Sequence, residues 1–316
     1  MTETKKGVFA LIAACTIWGL SPLFYKALST VIPHEVLAHR TVWSLVFFGC
    51  VLGIQGRLST LRAAVTDPVS RKVIAAAALL ISVNWFLFIW SIQAGRATEA
   101  SMGYYIFPLV AVLLGRIVLS ERLSRTQWVA ISLAAIGVLS LTIGLHIVPW
   151  ISLVLATTFG LYGLIKKRLD LGPVVSVSAE VLILCPIALG WLTYIHLGPG
   201  GAFGRDWVES ALLIASGPVT ALPLILFSYG ARRLTMSTVG IVQYINPTLQ
   251  FLCAVVIFSE PFGVVHMIAF ALIWTALAVY SSSAYSQDKA RRRAVIVSEV
   301  EAAVSTKPSS DSSAKP

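Results

Sequence analysis

Long apolar runs alternate with short polar breaks along the whole chain. A bilayer core of about 30 Å is crossed by around 20 apolar residues in a helix. Ten stretches meet that length, at about 7–27, 36–54, 72–94, 99–119, 126–144, 147–167, 174–196, 208–230, 236–258 and 262–284. The connections between them are mostly short, and none is long enough for an extramembrane domain. The first stretch is too long for the apolar region of a signal peptide and lacks a clear cleavage site, so it reads as a retained span. Residues 286–316 break the pattern. They hold Lys289, Arg291, Arg292 and Arg293 and then a Ser/Pro/Ala-rich end, which reads as a largely disordered tail. The pattern predicts an all-α polytopic membrane protein with ten transmembrane helices.

Composition supports that class. The 316 residues are 57% hydrophobic and 12% charged, with mean hydropathy +0.83, against about 25% charged in a soluble domain. A soluble protein of this size has too little polar surface to cover so much apolar material. A soluble enzyme, a disordered chain and a disulfide scaffold are therefore excluded. The net charge of +10 is a topology signal. With the N-terminus in the cytoplasm, the inner segments hold 19 of the 24 Lys and Arg residues. Lys26, Arg96 and Arg205 fall at the outer ends, while Arg40 and Arg116 lie within spans. This asymmetry puts both termini inside a plasma (inner cell) membrane. The basic face contacts anionic membrane lipid; a nucleic-acid partner is not expected.

Familiar catalytic and cofactor motifs are missing. No phosphate-loop, zinc-protease, nucleophile-elbow or dinucleotide pattern occurs in a usable context. Cys15, Cys50, Cys185 and Cys253 lie in apolar stretches and form no C-x-x-C pair, and the five histidines are scattered. Neither a metal nor a cofactor is expected, and the chain reads as a non-enzyme.

The two halves resemble each other. A shift of 139 residues lays 84–121 on 223–260, matching Leu87-Phe88 with Leu226-Phe227, Tyr105-Ile106 with Tyr244-Ile245, Pro108 with Pro247 and Ser120-Glu121 with Ser259-Glu260. A shift of 141 lays Gly19-Leu20 on Gly160-Leu161, and Lys26 on Lys167. Five helices is an odd number, so the second copy would enter the membrane inverted. The expected layout is a cytoplasmic N-terminus at 1–6, repeats at 7–144 and 147–284, and a cytoplasmic tail at 286–316. Inverted repeats recur in secondary transporters, with the substrate site near the midplane.

The chain also resembles the EamA family of the drug/metabolite transporter superfamily, and within it the RarD-type permeases. The resemblance spans about 7–285. It rests on Ile17-Trp18-Gly19, on His39-Arg40-Thr41-Val42-Trp43-Ser44 and on the run from Asn84 to Trp90. It also rests on the run from Glu99 to Leu109 and on Gln243-Tyr244-Ile245-Asn246-Pro247-Thr248. The resemblance implies a ten-helix permease and supplies no substrate. One departure stands out. The pattern usually reads Gly-Tyr-Phe-Ile-Asn-Pro-Leu, whereas here Tyr105 replaces the Phe and Phe107 the Asn. If that Asn touches substrate in relatives, a different or more apolar substrate follows.

Ionisable groups are expensive in lipid and mark functional candidates. Arg40 and Glu99 share one side of the membrane, and an Arg40–Glu99 pair is expected, as an outer gate, a carboxylate clamp or a packing ion pair. His39 is either a proton-coupling group or a hydrogen-bond donor. Glu180 falls opposite His39 in the repeat. It is a proton carrier, an inner-gate partner of Lys166 or Lys167, or a group that merely reaches the interface. Lys26 and Arg116 snorkel, and Glu121 and Glu260 stabilise the turns after their spans. Pro108 and Pro247 kink spans 4 and 9 at matching positions. Paired interruptions point to the site, so Tyr104, Tyr105, Gln243, Tyr244 and Asn246 are expected to face a common cavity. Asn84, Trp18 and Trp43 complete the expected substrate path.

The leading reading is a secondary permease, exporting small organic solutes by alternating access with protons or the substrate gradient as motive force. A lipid-modifying membrane enzyme and a non-transporting scaffold are the alternatives, and a homodimer is compatible with the leading reading.

Overall fold

The computed structural model describes residues 2–282, except 121–122, 147, 167–168, 199 and 235. The expected roles of Glu121 and Lys167, and the tail, lie outside the described residues. Those residues form helices and no sheet. In order they are α1 (Glu3–Ala27), α2 (Pro33–Ile54), α3 (Leu58–Thr66), α4 (Pro68–Gln93), α5 (Ala97–Leu119) and α6 (Arg125–Leu145). There follow α7 (Trp150–Lys166), α8 (Pro173–Leu197), α9 (Trp207–Ala231), α10 (Met236–Gln243) and α11 (Ile245–Leu252). A π-helical turn at Cys253–Ile257 leads to α12 (Val264–Ser282).

Local chemistry sets these boundaries. Pro33, Pro68 and Pro173 each sit at the first turn of a helix, where a missing N–H costs nothing. Asp67 caps α4 by accepting from the Ser70 amide at 2.7 Å, and Asp206 caps α9 through the Glu209 amide at 2.9 Å. Ser124 and Gln127 form a capping box on α6.

Eight of the helices are long and apolar enough to cross a membrane: α1, α2, α4, α5, α6, α8, α9 and α12. Two expected spans differ. Helix α7 has 17 residues, a rise of about 25 Å. The expected ninth span is interrupted. Pro247 offers no N–H to the carbonyl of Gln243, and the helix breaks at Tyr244 between α10 and α11. Its repeat counterpart Pro108 leaves α5 continuous. Large apolar side chains such as Phe9, Leu79, Ile143 and Ile187 stay on the exterior, as a lipid-facing surface requires.

The halves pack through each other reciprocally. Helix α1 packs on α9 and α11, and α7 packs on α4 and α5. The close approaches occur at glycines. A Cβ on Gly19 of α1 would lie 2.6 Å from Leu249 Cβ of α11. A Cβ on Gly160 of α7 would lie 2.9 Å from Leu114 Cδ1 and 3.7 Å from Val110 Cγ1 of α5. Ser120 and Ser259, also matched by the repeat, are both left-handed, at φ 56° and 54°.

Helices α2 and α8 are antiparallel and in contact. The loop after α8 covers the start of α2, while α3, which follows α2, packs near the start of α8. Arg40 and Glu180 are each the seventh residue after the proline that opens their helix. The two ionisable groups therefore sit about 10 Å in from opposite ends of the bundle.

Candidate functional site

Arg40 is buried, with 6% of its surface exposed. Its guanidinium lies over the Trp85 ring at 4.0 Å and near the Tyr25 ring at 5.8 Å. Its Nε has no hydrogen-bond partner. The expected pair with Glu99 does not form. Glu99 pairs with Arg96 at 2.6 Å, three residues earlier on the same turn, because that partner needs no packing between helices to reach it. Among the described residues no carboxylate lies within 4.0 Å of Arg40. A desolvated cation–π contact contributes about 2 kcal/mol, whereas burying an ion costs several. Arg40 is thus held at net cost by its own fold.

The same stretch of α2 carries further unpartnered polar atoms. His39 Nε2, Trp43 Nε1 and Ser44 Oγ are all buried without a hydrogen bond. Glu35, missed in the sequence, is buried and accepts from the Ala202 amide at 2.6 Å. That bond pins the loop between α8 and α9 over the start of α2. Phe203 of the loop stacks on His39 with centroids 5.0 Å apart and approaches Trp43 at 6.3 Å. His196 Nε2 lies 3.3 Å from the Phe203 carbonyl. The sequence signal for this cover was an acidic residue in the first turn of a span.

Glu180 is fully buried and fully partnered. It accepts from Lys166 Nζ at 2.5 Å, Tyr162 Oη at 3.0 Å and Ser176 Oγ at 3.2 Å. Lys166 also donates to Ser176 at 2.5 Å. The cluster ties α7 to α8.

The other expected path residues divide into two places. Asn84 is buried and donates to the Leu155 carbonyl at 2.9 Å and to Thr158 at 3.0 Å. It accepts from the Tyr104 hydroxyl at 2.9 Å. Tyr104 thus lies with Asn84 and Phe88, close to Arg40. Tyr105 points elsewhere. Its hydroxyl donates to Thr248 at 2.8 Å, and it lines an open cleft with Tyr244, Thr248, Trp274, Leu277, Ala278 and Ser281. Successive helical residues are about 100° apart, so Tyr104 and Tyr105 do not share a cavity. Asn246 accepts from Gln250 at 2.8 Å, Gln243 ends α10 half-buried, and Trp18 packs on Phe227 at 5.6 Å.

The Glu260 carboxylate reaches away from the turn after its own span. Its two carboxylate oxygens accept from the Ala97 and Thr98 amides at 2.6 and 2.7 Å. It therefore caps α5, whose own first residues offer no side-chain cap. Outside the spans, the Ser70 amide holds the Asp67 carboxyl below its ordinary range. Among the described residues no cluster of three His, Cys, Asp or Glu could hold a metal.

The fold and its lipid-compatible exterior define a multi-pass helical membrane protein, and sequence comparison places it among transporters. The sequence model of the EamA-like transporter family matches residues 5–143. Protein RarD of Escherichia coli (strain K12) is 39% identical over 287 residues, covering 90% of this chain and 97% of that one. The uncharacterized transporter YojE of Bacillus subtilis (strain 168) is 42% identical over 296 residues, covering 92% and 97%. A solved crystal structure with 19% identity aligns at TM-score 0.57, over 86% of this chain and 96% of its own, and shows likeness of fold alone. The chain belongs to the EamA-like transporter family, among its RarD-type permeases.

Proposed function

We propose that this chain is a secondary active permease that exports small organic solutes by alternating access. Its moving units are two inverted five-helix repeats, residues 7–144 and 147–284. The carrying observation is the reciprocal packing at Gly19 against Leu249 and Gly160 against Val110, residue pairs that the repeat relates to one another. In this reading α7 and the broken α10–α11 segment are the sixth and ninth spans. Ten spans with both termini in the cytoplasm follow from the distribution of Lys and Arg.

The start of α2 is then the outer end, and the start of α8 the inner end. The loop covering His39 through Phe203 serves as the outer gate. The Glu180–Lys166 pair serves as the inner gate. Protonation of Glu180 would remove its charge and release Lys166, which links proton entry to opening. Tyr104, Asn84 and Trp43 form the path beside Arg40. Glu99 steadies the outer end through Arg96. Gln243, Tyr244 and Asn246, at the interrupted helix, move with that gate. A membrane-embedded enzyme is disfavoured: the Ser176 hydroxyl does stand beside Lys166 and Glu180, but that lysine is engaged by the Glu180 carboxylate and is not free to act as a base.

The test begins with metabolite profiles of medium and cells, with the gene deleted and overexpressed. The compound that changes is then loaded into proteoliposomes holding the purified chain. We expect pH-driven efflux in the wild type, and loss of that efflux with retained exchange in Glu180→Gln. Absence of any protein-dependent solute movement overturns the permease reading, and unchanged pH-driven efflux in Glu180→Gln removes that residue from coupling.

A further inference from the structure

Arg40 presents an unusual combination: a buried cation with aromatic neighbours and, among the described residues, no acid within ion-pair distance. Its possible acidic partners are committed elsewhere. Glu35 holds the Ala202 amide, and Glu99 holds Arg96. Arg40, Trp43 and Ser44 stand at i, i+3 and i+4 and so share one helix face. Each carries a buried donor with no acceptor. A guanidinium offers its N–H groups in a planar fork that matches a carboxylate. Around it stand Trp85 at 4.0 Å and Tyr25, which packs edge-on against Phe88 at 6.0 Å. Phe88 in turn meets Tyr104 at 5.6 Å. The walls are therefore apolar and aromatic, with one cation among neutral donors.

We propose that Arg40 is the anion-binding centre of the transport path, and that the solute carried is a small monocarboxylate. Its carboxylate takes the guanidinium fork, with the Trp43 and Ser44 donors beside it. Its apolar or aromatic body lies against Tyr25, Trp85, Phe88 and Tyr104. A single fixed cation matches a single negative charge, and a dianion would leave one charge buried without a partner. The assignment of this site to a transported solute rests on the permease reading; the binding of a carboxylate does not.

The test uses the purified full chain and three probes of one shape: 3-phenylpropionate, 3-phenylpropionamide and 3-phenylpropylamine. Binding is read from tryptophan fluorescence and from the thermal midpoint. The wild type should bind the acid at least about tenfold more tightly than the amide or amine, the effect of a charge-assisted bond. Arg40→Gln should lose that preference, and Arg40→Lys should keep part of it. Without any probe, Arg40→Gln should raise the midpoint by about 2–4 °C, since it removes an uncompensated buried charge. Equal binding of all three probes, binding of none, or a preference that survives in Arg40→Gln overturns the proposal. So does a rise in midpoint with phosphatidylglycerol and none with the acid, which would assign the guanidinium to a lipid headgroup. Acid binding through Arg40 without flux in proteoliposomes keeps the site and overturns the permease reading. Flux with no preference for carboxylates does the reverse.

Discussion

Arg40 and Glu180 occupy matching places at opposite ends of the bundle, yet the fold treats them differently. Each comes seven residues after the proline that opens its helix, and each is buried. Glu180 is enclosed by Lys166, Tyr162 and Ser176. Arg40 lies against the Tyr25 and Trp85 rings, pairs with no carboxylate among the described residues, and leaves its Nε unpartnered. A buried charge with a built-in counter-charge is a finished part of the fold. One without a counter-charge is finished only when something else binds. The comparison separates a gate, which must hold itself shut, from a binding centre, which must stay available.

The largest test of that contrast breaks the finished pair. Lys166→Met should destabilise the protein by about 3–5 kcal/mol, because it strands the Glu180 carboxylate in an apolar site. Lys166→Met combined with Glu180→Met should recover most of that loss. Denaturant unfolding of the two variants measures both effects. A single variant within about 1 kcal/mol of wild type would show that Glu180 does not depend on Lys166. Removing Arg40 carries the opposite sign, as described above.

A smaller effect is expected where a carboxylate is satisfied by backbone rather than by a cation. Glu260 takes two amides at the start of α5. Glu260→Ala should cost about 2 kcal/mol, with Glu260→Gln losing roughly half as much. Hydrogen exchange at Ala97 and Thr98 should rise in step. Unchanged exchange there would show that Glu260 does not hold this helix end.

The smallest effect belongs to the exposed cap at Asp67. Its folded carboxyl titrates below the ordinary aspartate range, so the cap contributes fully above that range. The contribution fades as pH falls through the lowered value. The midpoint difference between wild type and Asp67→Asn should therefore shrink on acidification. A difference that grows instead would reverse the sign assigned to the cap.

Much of the architecture was legible in the hydrophobic pattern. Eight long spans emerged near their expected positions, because burying apolar helix in lipid depends on local composition alone. The prolines were less legible. Pro108 and Pro247 look equivalent in sequence, yet α5 continues through one while the other breaks its helix at Tyr244. A proline always removes a bond; whether the helix then bends or breaks depends on what packs around the freed carbonyl. The tyrosines teach the same lesson. Tyr104 and Tyr105 are neighbours in sequence, but one reaches Asn84 and the other Thr248.

By itself the sequence determined the membrane class, the family and the short list of ionisable residues inside apolar stretches. These follow from composition and order, which need no knowledge of distant neighbours. Only the tertiary structure decided which of those charges is answered. It gave Glu99 to Arg96, Glu180 to Lys166 and Glu260 to the start of α5, and it left Arg40 among aromatic rings. A hydrogen bond or ion pair forms within 3 to 4 Å, and for groups on different helices that distance is set by how the helices pack.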